Sequence, residues 1–225
     1  MEEVARRRFG NFDHGFFKRL IFRETELGTR KFFYEMAYRR AGDESVIHWH
    51  REEVPALLRK SVESMGGSGK VLDIGCGTGV NSVFMAQQGL DVTAIDFVPE
   101  ALEFARRRAE KFEVDVDFIR ADVTKFETAD KYDLILDSGC FHGFDDRIRL
   151  LYRKKILSWM PNQAQYVLIH FGKRQTFDFG LFGPRAKKKS EIEQFFAPEL
   201  KLEDFLPETG GKPLFQYRFT RNHAS

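Results

Sequence analysis

VLDIGCGTG, at residues 71–79, is the part of this sequence that says most about its fold. Apolar residues lead to Asp73, and Gly75, Gly77 and Gly79 then occupy every second position ahead of a helical pattern. Glycines between a strand and a helix let a ligand approach the backbone closely, and the N-terminus of the helix offers N–H groups to it. Such a turn alone is weak evidence, but this one has the flanking strand and helix that a ligand-binding turn requires.

On both sides of this turn, short apolar runs alternate with helical patterns. The runs are KVLDIG (70–75), DVTAID (91–96), VDFIRAD (116–122), YDLILD (132–137) and QYVLIHFG (165–172). Several are apolar at successive positions, which is typical of strands covered on both faces. Helices are predicted at 99–112, at 145–160 and from Ser190, where Glu193 stands at capping-box spacing. The alternation predicts an α/β fold with a doubly wound, mostly parallel sheet.

The two ends of the chain depart from this alternation. Residues 200–222 have the pattern of a strand, a Gly-Gly loop and a second strand, which predicts an antiparallel hairpin at the edge of the sheet. Residues 1–45 alternate apolar and basic clusters with helical character. We interpret them as an N-terminal helical cap on a main domain of residues 46–225. A helix on a membrane surface is the alternative, but acidic residues interrupt the basic clusters.

Composition narrows the class of protein. The 225 residues carry a net charge of only +2, which does not suggest a dedicated nucleic-acid binder. Two cysteines do not make a disulfide framework, and we expect a reducing, cytoplasmic setting. The first residues lack the apolar segment of a signal peptide, and no apolar run reaches the length of a bilayer span. We therefore expect a small-molecule substrate, without a nucleic-acid or membrane partner, bound by a monomer or a homodimer.

Acidic residues follow the second and third predicted strands. Asp96 lies where a carboxylate can accept hydrogen bonds from two ribose hydroxyls, and Phe97 beside it offers a flat face to a base. Asp122 can accept from an exocyclic amine. Each of these aspartates could instead only cap the end of its strand. Together with Asp73, however, Asp96 and Asp122 line the edge at which open α/β sheets bind ligands. A nicotinamide-dependent oxidoreductase would also suit Asp96, although the GCGTG spacing and the terminal hairpin disfavour it.

The segments VLDIGCGTG, AIDFVPEAL, RADV and YDLILDSGCFH together resemble the class I S-adenosylmethionine-dependent methyltransferases. The resemblance implies a seven-stranded Rossmann-like sheet whose seventh strand is antiparallel, and S-adenosylmethionine as the cofactor. By the same resemblance, Asp96 would hold the ribose, Phe97 would lie against adenine, and Asp122 and Val123 would meet the adenine edge. Asp137 would line the place where the methyl group leaves. The methionine and ribose part of the cofactor would be held by Asp73, Gly75, Cys76, Gly77 and Gly79.

Two further segments resemble a subgroup, the thiopurine, thiol and halide methyltransferases. These are DSGCFHGF (137–144) and IHWHREEVPALL (47–58), although Ser138 stands where the subgroup has an arginine. The resemblance favours a soft acceptor such as a thiol, sulfide or halide, with Trp49 and His50 as substrate-side candidates. An N- or O-methyltransferase of an aromatic metabolite is the alternative, as is a cofactor-binding fold without catalysis.

Cys140 and His142 stand together where the fourth predicted strand ends. A covalent Cys–His pair is disfavoured, because methyl transfer needs no nucleophile on the enzyme. A zinc site would need His48 and His50 to converge on them, and nothing in the sequence requires that. We interpret Cys140 as leaving room near the methyl group and His142 as facing the acceptor. His142 would either take a proton from the acceptor or only orient the acceptor. The structural alternative is a histidine whose hydrogen bonds are satisfied at the start of a helix.

Overall fold

A computed structural model describes residues 32–171, 187–207 and 214–222. The strands there are β1 (Lys70–Ile74), β2 (Asp91–Asp96), β3 (Asp117–Arg120), β4 (Leu134–Ser138), β5 (Gln165–Phe171), β6 (Leu200–Pro207) and β7 (Leu214–Arg221). They form one seven-stranded sheet in the order β3-β2-β1-β4-β5-β7-β6. Strands β1 to β5 are parallel, and β7 is antiparallel to β5 and β6. The predicted mostly parallel sheet with a C-terminal antiparallel hairpin is confirmed.

The described residues contain six α-helices. They are α1 (residues 32–40), α2 (Ala56–Ser64), α3 (Val80–Gln87), α4 (Pro99–Lys111), α5 (Asp146–Trp159) and α6 (Lys189–Phe196). Short 3-10 turns cover Glu44–Val46 and Phe141–Gly143. No helix in this part of the chain is long and apolar enough to cross a membrane.

The central strands are buried on both faces, as the consecutive apolar residues of β1 and β4 predict. One face packs against α5 and α6, in a layer that includes Leu72, Ile135, Tyr152, Ile156 and Phe196. The other face packs against α2 and α3, in a layer that includes Leu58, Val71, Met85, Leu136 and Val167. Because side chains alternate along a strand, Asp73 points to the α3 face and Asp137 to the α5 face.

The helix boundaries follow from local chemistry. Pro99 opens α4, where its missing N–H costs no hydrogen bond. Asp145 caps α5, since its side chain accepts from the backbone N–H of Ile148 at 2.9 Å. The capping box predicted at Ser190 and Glu193 is wrong: α6 begins one residue earlier, and Glu191 accepts the Lys188 backbone N–H at 2.7 Å.

Part of the predicted N-terminal cap falls within the described residues. Helix α1 and the 3-10 turn after it pack on α4 through a small cluster of buried residues, which consists of Tyr38, Ile47, Val98 and Ala101. Residues 1–31 of the predicted cap lie outside the described residues, as does the Gly-Gly loop of the hairpin.

Candidate functional site

The C-terminal ends of β1, β2 and β4 meet at one edge of the sheet. Ile74, the last residue of β1, lies opposite Ile95 of β2 and Asp137 of β4. The chain order reverses at this point, because β1 is followed on one side by β2 and on the other by β4. Open parallel sheets bind their ligands in the crevice at such a reversal.

The glycine turn, residues 75–79, crosses this edge between β1 and α3. The backbone N–H groups of Gly75 and Cys76 both donate to the carbonyl of Ile95, at 2.8 and 3.1 Å, which ties the turn to β2. Gly79 has φ of +78°, and a Cβ added there would lie 2.8 Å from the Cβ of Ala105 in α4. The third glycine is therefore required both by its left-handed backbone and by close packing against α4.

Asp96 holds the turn from the β2 side. Its buried carboxylate accepts the backbone N–H of Gly77 at 3.0 Å and that of Val98 at 2.9 Å. Burial raises its pKa to about 6, while the hydrogen bonds from backbone N–H groups oppose that rise. The sequence placed this acid at the ligand-binding edge, and the structure puts its carboxylate directly against the middle glycine.

Asp73 and Asp137 lie behind the turn, on opposite faces of the sheet. Asp73 accepts from the Ser82 hydroxyl of α3 at 2.6 Å, and burial raises its pKa to about 7. Asp137 accepts from the backbone N–H of Cys140 at 2.7 Å and from the Tyr152 hydroxyl at 2.5 Å, and burial raises its pKa to about 6. Both carboxylates hold neighbouring elements in place, which differs from the direct ligand contact that the resemblance implies.

Cys140 follows β4 and lies against the glycine turn. A Cβ at Gly75 would be 3.3 Å from the Cys140 sulfur, so the thiol closes one side of the turn. Burial, followed by the nearby carboxylate of Asp137, raises the pKa of this thiol well above its usual value. A thiol held in its protonated form is a poor nucleophile, which fits the prediction against a covalent Cys–His pair.

His142 lies in the 3-10 turn after β4 and is almost fully buried. Its ring stands edge-on to Phe171 of β5, with ring centroids 4.7 Å apart, and 6.1 Å from His170. Burial, followed by repulsion from His142, lowers the pKa of His170 to about 3, so His170 is neutral near pH 7. Sequence reasoning did not single out His170, because a histidine inside an apolar strand gives no signal of a neighbouring site.

Aromatic side chains from α1 and the following segment cover the glycine turn. We call Tyr34, Tyr38 and Trp49 the aromatic cover. The Trp49 indole N–H donates to the Tyr38 hydroxyl at 3.2 Å, and a Cβ at Gly77 would lie 2.9 Å from that hydroxyl. Tyr34 lies edge-on to Trp49 at 4.9 Å and to Phe97 at 6.1 Å. Tyr34 and Tyr38 were missed by sequence reasoning, although their spacing of four residues places them on one face of a helix.

Trp49 and His50, predicted on the substrate side, lie at the glycine turn. His50 Nδ1 is 2.9 Å from the hydroxyl of Thr78, and its Nε2 is 2.9 Å from Glu52. Trp49 belongs to the aromatic cover. The zinc set considered from the sequence does not assemble in the described part of the chain, since His50 clusters with Glu44 and Glu52 rather than with Cys140.

Asp122 and Val123 occupy the segment after β3. The Asp122 carboxylate accepts from the backbone N–H and the hydroxyl of Thr124, at 3.0 and 2.8 Å. Val123 is buried in the core layer that packs on α5. Its side chain is therefore used in packing, and any contact it makes with a ligand comes from its main chain.

The residues at this edge fit the cofactor that the sequence resemblance implies. S-adenosylmethionine carries two ribose hydroxyls, which suit the buried carboxylate of Asp96, and a carboxylate, which suits N–H groups at the start of α3. Gly75 and Gly77 leave space that a Cβ would fill, against Cys140 and Tyr38 respectively. The adjoining aromatic rings of Phe97 and Tyr34 suit an adenine base.

Comparison with known proteins identifies the same region. Residues 71–158 match the family model of a methyltransferase domain. The 2-heptyl-1-hydroxyquinolin-4(1H)-one methyltransferase of Mycobacteroides abscessus is 26% identical over 179 residues, which are 77% of this chain and 78% of that protein. The ubiquinone biosynthesis O-methyltransferase of Actinobacillus pleuropneumoniae is 40% identical over 94 residues, which are 39% of this chain and 40% of that protein.

A solved structure extends the likeness to most of the fold. The N-methyltransferase NodS from Bradyrhizobium japonicum, in complex with S-adenosyl-L-homocysteine, superimposes with a TM-score of 0.69 at 19% identity. The superposition covers 84% of this chain and 97% of that one. At this identity the likeness shows a shared Rossmann-like methyltransferase fold.

Proposed function

We propose that this S-adenosylmethionine-dependent methyltransferase methylates a hydroxyl oxygen or a ring nitrogen of a small aromatic or heteroaromatic molecule. The similar proteins support this choice, since they include a hydroxyquinolinone methyltransferase, an O-methyltransferase and an N-methyltransferase. The thiol, sulfide or halide acceptor favoured by the DSGCFHGF segment has no such support and becomes the competing hypothesis. A small-molecule substrate in a cytoplasmic setting stays our prediction.

For the cofactor, we propose a site formed by the glycine turn, Asp96 and Phe97. S-adenosylmethionine supplies a methyl group already activated on a sulfonium, so the protein contributes mainly orientation. In this proposal Asp96 accepts from the ribose hydroxyls, Phe97 lies against the base, and Asp122 accepts from its amine. Asp73 and Asp137 support the turn from behind, as their hydrogen bonds to Ser82 and Tyr152 suggest.

The observation that carries the choice of acceptor is the position of His142. An acceptor hydroxyl or ring N–H must lose a proton as it is methylated, and a nearby imidazole can accept it. His142 lies beside the Cys140 turn with its ring held edge-on to Phe171, and the neighbouring His170 is neutral. A thiol acceptor, with a pKa of about 8.5, would need little help from a base. In our proposal a ring nitrogen of His142 takes the proton of the acceptor.

We further propose that residues 1–45 form a cap over a methyltransferase domain of residues 46–225, and that the cap holds the acceptor ring. Phe32 and Phe33 are each 61% exposed, which is unusual for such large apolar side chains. Phe33 also contacts Trp49 of the aromatic cover, with ring centroids 5.9 Å apart. Exposed phenylalanines that continue the partly buried aromatic cover suit a flat acceptor.

The cofactor site can be tested without knowing the acceptor. Binding of S-adenosylhomocysteine is measured by calorimetry for the wild type, Asp96→Ala and Asp91→Ala. Asp91 is exposed at the other end of the same strand and serves as the matched control. We expect Asp96→Ala to lose most of the affinity and Asp91→Ala to keep it. Equal affinities for all three proteins would exclude the proposed site.

The acceptor class is tested by a panel of phenols, N-hydroxy heteroaromatics, heteroaromatic amines, thiols and halides. Formation of S-adenosylhomocysteine is measured for the wild type, His142→Gln and His48→Gln, whose replaced histidine is exposed. We expect turnover with a hydroxyl or ring-nitrogen acceptor and a loss of about 10²-fold or more in His142→Gln. Turnover of thiols alone, with His142→Gln fully active, would favour the competing hypothesis.

A further inference from the structure

A chain of polar contacts joins the glycine turn to the segment that carries the aromatic cover. His50 is the central residue, with Nδ1 2.9 Å from the Thr78 hydroxyl and Nε2 2.9 Å from a Glu52 carboxylate oxygen. Thr78 lies between the second and third glycines of the turn and is buried. The His50 side chain is only 7% exposed, so its contact with Thr78 is largely shielded from water, whereas the Glu52 carboxylate at the other end is 62% exposed.

Arg108 of α4 fixes the far end of this chain of contacts. Its guanidinium binds both carboxylate oxygens of Glu52, at 2.6 and 2.9 Å, and one oxygen of Glu44 at 2.5 Å. The hydrogen bonds from Arg108 lower the pKa of Glu52 to about 2. Glu52 is therefore ionised and can only accept hydrogen bonds.

The ionised Glu52 determines the tautomer of a neutral His50. His50 Nε2 must carry the hydrogen in order to donate to Glu52, so Nδ1 is left as an acceptor for the Thr78 hydroxyl hydrogen. The direction of the Thr78 hydroxyl in the turn is then set by Glu52, which is itself held by α4. Arg108 and Ala105, which packs against Gly79, thus fix the turn from the same helix.

We propose that His50 is a positioning residue for cofactor binding, which fastens the aromatic cover to the glycine turn through Thr78. Trp49 precedes His50 and donates to Tyr38, whose hydroxyl lies over Gly77. One set of contacts thus holds the turn in shape and holds the cover over it. The inference rests on the cofactor of the proposed function and not on its acceptor.

A metal site is the competing interpretation of the same residues. Glu44, His50 and Glu52 offer ligand atoms within 4.8 Å of one another. The Arg108 guanidinium, however, contacts both carboxylates and supplies the positive charge that a metal ion would otherwise bring. The geometry is therefore that of an ion-pair network around a histidine, in which the acids are already neutralised.

Two substitutions of His50 separate its two hydrogen bonds. The amide of His50→Asn occupies the position of Nδ1 and can still bond Thr78, whereas the amide of His50→Gln reaches the position of Nε2 and can bond only Glu52. Thr78→Val removes the hydroxyl with little change of shape. His48→Gln, exposed and two residues earlier, is the matched control.

The readouts are the Kd for S-adenosylhomocysteine and, where turnover is measurable, the KM for S-adenosylmethionine against kcat. We expect His50→Gln and Thr78→Val each to weaken cofactor binding about fivefold, which corresponds to the loss of one partly buried hydrogen bond, with kcat retained at saturating cofactor. His50→Asn should restore most of the affinity. The double variant His50→Gln/Thr78→Val should lose no more than either single variant, because both remove the same contact.

Five outcomes would overturn the inference. Wild-type affinity in both His50→Gln and Thr78→Val would show that the contact does not position the turn. Additive losses in the double variant would show that the two residues act separately. Binding of S-adenosylhomocysteine by no protein, wild type included, would remove the cofactor premise itself. A fall in kcat with unchanged cofactor affinity would instead assign His50 to binding of the acceptor. A rise in melting temperature on addition of Zn²⁺, larger in Arg108→Gln than in the wild type, would favour the metal site.

Discussion

At the scale of single residues, two buried aspartates hold the elements around the glycine turn in place. Alternation along the strands sends Asp73 to α3 and Asp137 to α5, where Ser82 and Tyr152 donate to them. Their carboxylates fix the elements on either side of the glycine turn. Buried carboxyl groups with raised pKa values have a measurable consequence, because they make the stability of the fold depend on pH.

The first prediction concerns Asp73. Its folded pKa of about 7 lies above the value of 3.8 for an exposed aspartate, so the folded state holds the proton more tightly. The free energy of unfolding should therefore fall as pH rises from about 4 to about 7. Asp96 and Asp137 contribute the same sign only up to about pH 6. Between pH 6 and 7, Asp73→Asn should show a flatter profile than the wild type in urea unfolding, whereas Asp91→Asn should not. Parallel profiles would show that Asp73 is ionised in the fold.

The second prediction concerns Gly79. Gly79→Ala must place a Cβ 2.8 Å from the Cβ of Ala105, on a backbone with φ of +78°. We expect a loss of about 1–3 kcal/mol in stability from the strain and the close contact. Gly42→Ala is the control, since a Cβ there meets nothing within 4 Å. Equal melting temperatures for the two variants would show that the turn and α4 adjust freely.

At the scale of residues, the sequence predicted the site where a residue type has one dominant structural role. Three glycines in VLDIGCGTG predicted the turn, and an acid after β2 predicted a carboxylate at its edge. The partners of Asp73 and Asp137 were not predictable, because a buried aspartate in a strand does not indicate which helix will face it. The link between His50 and Thr78 was equally hidden, since it joins residues whose proximity depends on the packing of the whole segment after α1.

At the scale of elements, Asp137 connects β4 to α5. Tyr152 of α5 donates to its carboxylate at 2.5 Å, and the backbone N–H groups of Cys140 and Phe141 donate from the 3-10 turn. Three donors around one carboxylate fix the turn that carries Cys140 and His142. The position of the turn that carries Cys140 and His142 therefore depends on α5, which holds Asp137 through Tyr152.

The third prediction tests this connection with two matched substitutions. Tyr152→Phe removes the hydroxyl that donates to Asp137, so we expect a loss of about 1–3 kcal/mol and a further rise in the pKa of Asp137. Tyr217→Phe is the control, because its buried hydroxyl has no hydrogen-bond partner within the described residues. Chemical unfolding at pH 7 should show Tyr152→Phe to be clearly less stable and Tyr217→Phe to be unchanged or more stable. Equal losses would mean that the contact with Asp137 contributes no special stability.

Element types and their order were predictable because hydrophobic periodicity and glycine placement act locally. The ends of the elements were less predictable. Residues 116–122 were predicted as one strand, but β3 covers only Asp117–Arg120, and the Asp122 carboxylate accepts the backbone N–H of Thr124 beyond it. The start of α6 was misplaced because Glu191 and Glu193 offer equal local signals, and only the packing of Ile192 and Phe196 on the core selects between them.

At the scale of the whole molecule, the sheet order puts β4, which leads into the turn of Cys140 and His142, next to β5, the strand that meets the C-terminal hairpin. Strand β5 lies between β4 and β7, and its His170 is in register with Phe215. The histidine is fully buried against Phe141 and His142. The family resemblance predicted seven strands with an antiparallel seventh, but the contact between His170 and His142 depends on three-dimensional packing that hydrophobic periodicity does not predict.

The last prediction follows from burying that histidine as a neutral ring. Burial lowers the pKa of His170 from 6.5 to about 3, and the neighbouring His142, Arg149 and Lys187 side chains lower it in the same direction. The unfolded chain binds a proton at this residue below pH 6.5 and the folded chain does not, so stability is lost as pH falls from about 6.5 toward 3. The loss from one such group is at most about 1.4 kcal/mol per pH unit.

His170→Phe keeps a ring of similar shape without the proton site. Relative to the wild type it should therefore gain stability steadily as pH is lowered, while His48→Gln should not. A difference between His170→Phe and wild type that is constant with pH, measured by urea unfolding from pH 7 to pH 4, would show that the folded protein protonates His170 as readily as the unfolded chain does. His170 would then be able to take up a proton in the folded protein, and the proposed role of proton acceptor could no longer be assigned to His142 alone.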